Sequence, residues 1–162
     1  MFRRITGLLT LLVVVGTVAS VAGAKTTGTK HKLSSTVQLA TISTSANFPA
    51  AGSIITDAGI VKAKPGGRGA EIDSLKVTAA PAPSTITLTG TATLFFKRGT
   101  ESARVTLQAV VAADGSATYT GTGKFTKGTG LYKGITGKFA FTGSSPANST
   151  VTTLQVKGTA TY

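Results

Sequence analysis

From Thr85 to Leu94 every second residue is threonine. Thr85, Thr87, Thr89, Thr91 and Thr93 alternate with Ile86, Leu88, Gly90, Ala92 and Leu94. A period of two places successive side chains on opposite faces, so one face is apolar and the other carries hydroxyls. Threonine suits the wet face because its branched Cβ fits the pleat while its hydroxyl meets water. A strand of this kind belongs to a sheet with one buried and one solvated side.

The same alternation recurs along the chain. Val105, Leu107, Ala109 and Val111 share a face, and Asp114-Gly115 then gives a strong hairpin signal. Beyond it, Tyr119, Gly121, Gly123 and Phe125 alternate with Thr118, Thr120, Thr122 and Lys124. Lys138–Thr142 brings Phe139 and Phe141 to one side. The last stretch sets Leu154, Val156, Gly158, Ala160 and Tyr162 against Thr153, Gln155, Lys157, Thr159 and Thr161. Leu33–Ser43, Gly59–Lys64 and Glu71–Thr78 are less regular strands, and Ala79–Pro83 reads as a proline-broken connection. No helical period follows the N-terminal region. Turn signals at short, regular spacing predict an all-β fold, either a β-barrel or a β-sandwich.

Seven of the 20 glycines among 162 residues fall in one segment, Gly121–Gly143. There Gly123-Lys124-Phe125 recurs as Gly137-Lys138-Phe139. Glycine weakens a strand unless a bulge, a corner or a close approach needs it. Gly and Phe share faces here, and small beside large is how a tapering barrel interior is filled. Gly128, Gly130, Gly134 and Gly137 are expected to supply positive φ in the link between strands.

The N-terminus has a different logic. Arg3 and Arg4 precede an apolar run from Ile5 to Val18, and Ala22-Gly23-Ala24 follows. This is the pattern of a signal peptide over residues 1–24, cleaved after Ala24. The alternative is a retained anchor over Ile5–Ala24, although Gly7, Thr10, Gly16 and Thr17 make it a poor span. Thr6 and Gly7 argue against twin-arginine export, and a chain without cysteine cannot be an acylated lipoprotein. Cleavage lowers the net charge from +12 to +10. Residues 25–32 (KTTGTKHK) read as a flexible basic tail. Residues 33–162 form the barrel domain, long enough for one core. The expected location is secreted: extracellular, periplasmic or cell-wall associated, with no stable membrane insertion after cleavage.

Several motifs then fall into one order. They are Gly67-Arg68-Gly69-Ala70, a Phe-rich strand into Lys97-Arg98-Gly99-Thr100, Asp114-Gly115-Ser116, GTGKFTKGTGLYKGITG, and a terminal KGTATY. Together they resemble small exported bacterial proteins related to the allene oxide cyclase and dirigent barrels. The resemblance spans residues 33–162 and is strongest over Asp114–Gly143. It implies an eight-stranded antiparallel barrel around a mostly apolar cavity. Plant members of that superfamily guide radical coupling or cyclise a reactive epoxide. The matching positions are turn and packing residues, so no functional residue is carried over. The avidin-type barrel is less similar, since its pocket is built with tryptophans and this chain has none.

The composition removes much ordinary chemistry. Without cysteine there is no disulfide, thiol nucleophile or Cys-ligated metal. His31 is the single histidine, so neither a His metal cluster nor a Ser-His-Asp triad can be assembled from a Lys-flanked tail. No cofactor and no metal are expected. The glycine-rich Gly121–Gly137 lacks the spacing of a phosphate loop and opens no helix. Asn148-Ser149-Thr150 is a formal glycosylation sequon and marks a surface loop. Three residues remain as weak catalytic candidates. Glu71 and Asp73 lie two apart and share a strand face. Facing inward, they make a polar pair in the cavity, one of them a proton donor. Facing outward, they are solvated and Ile72 points inside. Arg104, beside Val105, would hold a carboxylate or enolate of a ligand, or be a solvated charge. Asp57 and Glu101 offer nothing sharper, and Asp114 is a turn residue.

The dispersed lysines suggest a basic outer surface that would bind an anionic cell-wall polymer in a salt-dependent way. The charge excess could equally serve only solubility. Specific nucleic-acid binding is not expected, because the aromatics alternate onto the buried face rather than the stacking one. The leading expectation is a non-catalytic barrel that binds a small apolar ligand or an anionic envelope surface. The alternatives are a dirigent- or cyclase-like enzyme that confines a reactive apolar substrate, with Glu71, Asp73 or Arg104 in the cavity, and a purely structural envelope protein.

Overall fold

The computed structural model describes residues 28–82 and 84–162. The signal-peptide reading of residues 1–24, and residues 25–27 of the basic tail, lie outside the described residues. Eight strands follow one another: β1 (Lys30–Thr44), β2 (Ile54–Lys64), β3 (Gly67–Ala82), β4 (Thr85–Phe96), β5 (Gly99–Val111), β6 (Ala117–Gly128), β7 (Thr136–Ser145) and β8 (Val151–Thr161). Each pairs antiparallel with the next, and β8 pairs back onto β1, so the sheet closes into a barrel in sequence order. The sandwich alternative is thereby excluded. One 3-10 turn, Gly130–Tyr132, lies between β6 and β7.

The alternation translates directly into an inside and an outside. Ile86, Leu88 and Ala92 of β4 are buried, as are Val105, Leu107 and Ala109 of β5. With Val37, Leu39, Val61, Leu75, Val77, Phe141 and Leu154 they form the main core. The glycine–phenylalanine pairing is also as the alternation predicts. A Cβ on Gly121 would strike the Phe141 ring, and one on Gly123 the Phe139 ring. The two rings lie flat over strand positions that must carry no side chain. Of the four glycines expected to need positive φ, Gly130, Gly134 and Gly137 have it. Gly128 does not; a Cβ there would meet the Tyr132 carbonyl.

Three boundaries depart from the sequence expectation. β1 begins at Lys30, inside the segment read as a flexible tail, and Lys30, His31 and Lys32 pair with Thr161, Ala160 and Thr159. The His31 ring stacks on Tyr162 at 4.5 Å. Closure decides this: β8 has backbone groups to satisfy, and they bond to backbone regardless of side-chain polarity. β2 starts at Ile54 rather than Gly59, because Asp57 takes an inward position and hides the apolar period. β3 runs through to Ala82, into the proline-broken stretch, by shifting register between Val77 and Ala79 and again between Ala79 and Ala82.

The barrel ends differ. The β2–β3 and β4–β5 turns, the β6–β7 link and the C-terminus share one end. There the buried Tyr132 packs on Phe96 and Tyr162, with ring centroids 5.7 and 5.1 Å away. Ala103, Phe125, Ile135 and Ala160 complete this second cluster. Gly123→Ala is expected to cost about 1–3 kcal/mol by forcing its methyl into the Phe139 ring. Adding Phe139→Leu should recover part of that loss in denaturant unfolding. A Gly123→Ala protein as stable as the parent would contradict this packing.

Candidate functional site

The barrel is not filled. A cavity of about 350 Å³ runs along its interior, from Pro65 at the tyrosine end to Phe48 and Gly115 at the other. That volume lies at the small end of ligand pockets. Leu75, Leu88, Leu107, Phe141 and Leu154 give it apolar walls.

Four carboxyl groups interrupt those walls: Asp57, Glu71, Asp73 and Glu101. On β3 the inward set is Glu71, Asp73, Leu75 and Val77, and Ile72 faces solvent at 45% exposure. The open question of facing is therefore settled: Glu71 and Asp73 point inward. Asp57 sits directly opposite Asp73 on β2. Leu94 of β4 is opposite both Glu71 and Glu101, so it lies between those two carboxyls. Asp57 accepts a hydrogen bond from Thr41 Oγ1 at 2.7 Å.

Burial dominates the acidity of this group. It raises Glu71 well above the usual carboxylate range, and the Asp73 and Glu101 charges push the same way. Burial also lifts Asp73 to about 7; the hydrogen bond from Glu71 opposes that lift and the Asp57 charge adds to it. Glu101 reaches about 7 through burial alone. Asp57 is raised by burial and partly restored by Thr41. With both groups ionised, Glu71 Oε2 and Asp73 Oδ1 are buried acceptors facing no donor. A proton on Glu71, donated to Asp73, relieves that conflict, which is why their hydrogen bond raises one group and lowers the other. At neutral pH the cavity thus holds a carboxylic acid, a group able to donate a proton or a hydrogen bond.

Arg104 is not part of this site. It is exposed on the outer wall, opposite Thr91 and Lys124. Val105 and Glu101 fix its parity: odd positions of β5 point inward and even positions outward. The same rule would have found the two carboxyls that sequence reasoning passed over. Glu101 shares its face with Ala103, Val105, Leu107 and Ala109, and Asp57 shares its face with Gly59 and Val61. Tyr132 and Tyr162 sit close enough to Glu101 for its charge, second to burial, to raise both phenols. Among the described residues no three His, Asp or Glu side chains are grouped as a metal ion would need. Comparison with protein-family models, with curated proteins and with solved structures returned no match.

These carboxyls make stability depend on pH in an unusual direction. The folded state holds protons that the unfolded chain has already released, so stability is complete near pH 4 and declines as pH rises through about 7. The melting temperature is expected to fall between pH 5 and pH 8. Glu71→Gln/Asp73→Asn should flatten that slope and melt higher than the parent at pH 8. A melting temperature that rises over the same interval in the parent protein would contradict the assignment.

Proposed function

We propose that the barrel binds a small, largely apolar ligand in its cavity without turning it over. The cavity itself carries this reading. Where the cavity meets only its leucine and phenylalanine walls, unfilled space costs about 24 cal/mol per Å³, against a total stability of roughly 5–15 kcal/mol for a domain. Phe139 and Phe141 are large enough to have filled more of it, yet they lie flat over Gly123 and Gly121 along the wall. Space held open at that cost argues for an occupant. An exported barrel of the allene oxide cyclase and dirigent kind fits best. Its support is the closed eight-stranded architecture together with the leader pattern of residues 1–24. The catalytic alternative, confinement of a reactive apolar substrate, is favoured by one observation, the proton kept on Glu71.

The neutral fluorophore N-phenyl-1-naphthylamine tests the cavity reading. Its emission should rise and saturate at one site per barrel. Leu88→Trp, which fills the interior, should weaken binding at least tenfold while the barrel stays folded by circular dichroism. Undiminished binding to a folded Leu88→Trp barrel would sink the reading.

A second surface carries its own observation. Arg104, Lys124 and Lys138 stand directly opposite one another on β5, β6 and β7. The row continues through Thr159 of β8 to Lys32 of β1. Like charges placed opposite each other destabilise a sheet, and strands are about 4.8 Å apart. A cationic row at that spacing fits an anionic envelope polymer. Long-chain polyphosphate should bind less tightly as salt rises, and Arg104→Gln/Lys124→Gln/Lys138→Gln should reduce both affinity and salt slope. Polyphosphate binding unchanged by salt would remove this reading and leave the cavity untouched.

A further inference from the structure

Charge is distributed one-sidedly across the barrel wall. All fourteen Lys and Arg side chains among the described residues are exposed. Four of the five carboxylates of the chain line the cavity. The one lysine at the cavity, Lys64, is exposed where β2 ends. Buried acids are ordinarily paired with a cation or a metal. Here the wall supplies no buried base, and the acids are not grouped for a metal ion.

Three of these acids, Glu71, Asp73 and Glu101, are almost wholly enclosed. Glu71 is 6% exposed and Asp73 5%. Once the shared proton is gone, Glu71 Oε2 and Asp73 Oδ1 are acceptors with no donor, and both residues line the cavity. The polar group of a ligand can be judged against these two acceptors. A pure hydrocarbon brings no donor and no charge. An alcohol brings one donor. A carboxylate adds another negative charge and no donor. A protonated amine brings three N–H donors and the missing charge.

We propose that the ligand of this cavity is a small apolar amine, its ammonium held between Glu71 and Asp73 and its hydrocarbon packed on Leu75, Leu88 and Leu107. The inference rests on the cavity reading and adds the ligand's polar group. The proton count balances simply. The empty pair shares one proton between Glu71 and Asp73. The ammonium arrives with its own charge, the shared proton leaves to water, and both groups become carboxylates. No covalent bond of the ligand is made or broken. The other titratable groups lining the cavity are Asp57 and Lys64 from β2, Glu101 from β5 and Tyr119 from β6, with Tyr132, Tyr162 and Arg98 near Glu101 at the tyrosine end. The two cations among them, Lys64 and Arg98, are both exposed. Amine binding therefore tightens from pH 5 to pH 8, as the competing protons become easier to displace.

Three probes with one hydrocarbon cage separate the possibilities: 1-adamantylamine, 1-adamantanol and 1-adamantanecarboxylate. Titration calorimetry at pH 7, in buffers of different ionisation enthalpy, reads affinity and proton release together. The amine is expected to bind at least tenfold more tightly than the alcohol, with about one proton released per amine, and the carboxylate is expected not to bind. Glu71→Gln/Asp73→Asn should bring the amine down to the affinity of the alcohol and leave the alcohol unchanged. Glu71→Gln alone should cut the preference if the double variant does not fold. An alcohol that binds as well as the amine overturns the inference, as does an amine preference that survives in a folded variant. If no cage compound binds but N-phenyl-1-naphthylamine does, the amine inference falls and the cavity reading stands. If neither binds, both fall.

Discussion

Pairing of β1 with β8 decides what every other residue experiences. Eleven consecutive partners, from Lys30 with Thr161 to Ala40 with Val151, close the sheet. An open eight-stranded sheet would leave two edges with unsatisfied backbone groups and no enclosed volume. Closure removes both edges and makes one face of every strand an interior. It also enlists Lys30, His31 and Lys32, which have no strand character of their own. The small second core of Tyr132, Phe125 and Ile135 packs across one end of the barrel so formed.

Once an interior exists, parity sorts the charges. Each strand contributes alternate residues inward, and on β2, β3 and β5 that rule carries Asp57, Glu71, Asp73 and Glu101 inside with the leucines and valines. The same rule sends Arg104, Lys124 and Lys138 to the outer wall. The result is a basic shell around an acidic, partly apolar cavity. The two features have opposite energetic signs. The outer cations are hydrated and cost only mutual repulsion across neighbouring strands. The inner acids lose water, and so hold protons at a pH where an exposed carboxylate has none. Function is read from the inside because that is where the fold tolerates the larger cost.

Much of this architecture was legible in the sequence. Threonine at every second position from Thr85 to Thr93 marked β4 from its first residue, the strand running on through Phe96, and the Gly–Phe pairing on β6 and β7 identified a barrel interior. What escaped had physical causes. The apolar period is disrupted where a carboxylate replaces a hydrocarbon on the inner face, so Asp57 conceals the start of β2, and Glu101 interrupts the inner face of β5. Glu71 and Asp73 were found as a pair, but their facing needed Leu75 and Val77 to be counted on the same parity. Arg104 was attractive only while its neighbour Val105 was not used to assign it outward. Lys30, His31 and Lys32 join a strand because backbone pairing across the closing seam owes nothing to local composition. The shared proton was beyond sequence reading altogether, since it depends on how much water the closed barrel excludes.

The central claim is that this barrel holds carboxylic acid, not carboxylate, at its centre under neutral conditions. Carbon-13 NMR of the side-chain carboxyl carbons of Glu and Asp, followed from pH 4 to pH 9, tests it most directly. The expected result is Glu71 titrating well above the ordinary carboxylate range, Asp73 and Glu101 titrating near 7, and Asp114 below its ordinary value. Titration of all five carboxyls near the ordinary value of about 4 would contradict it, and would mean that water reaches the pair freely.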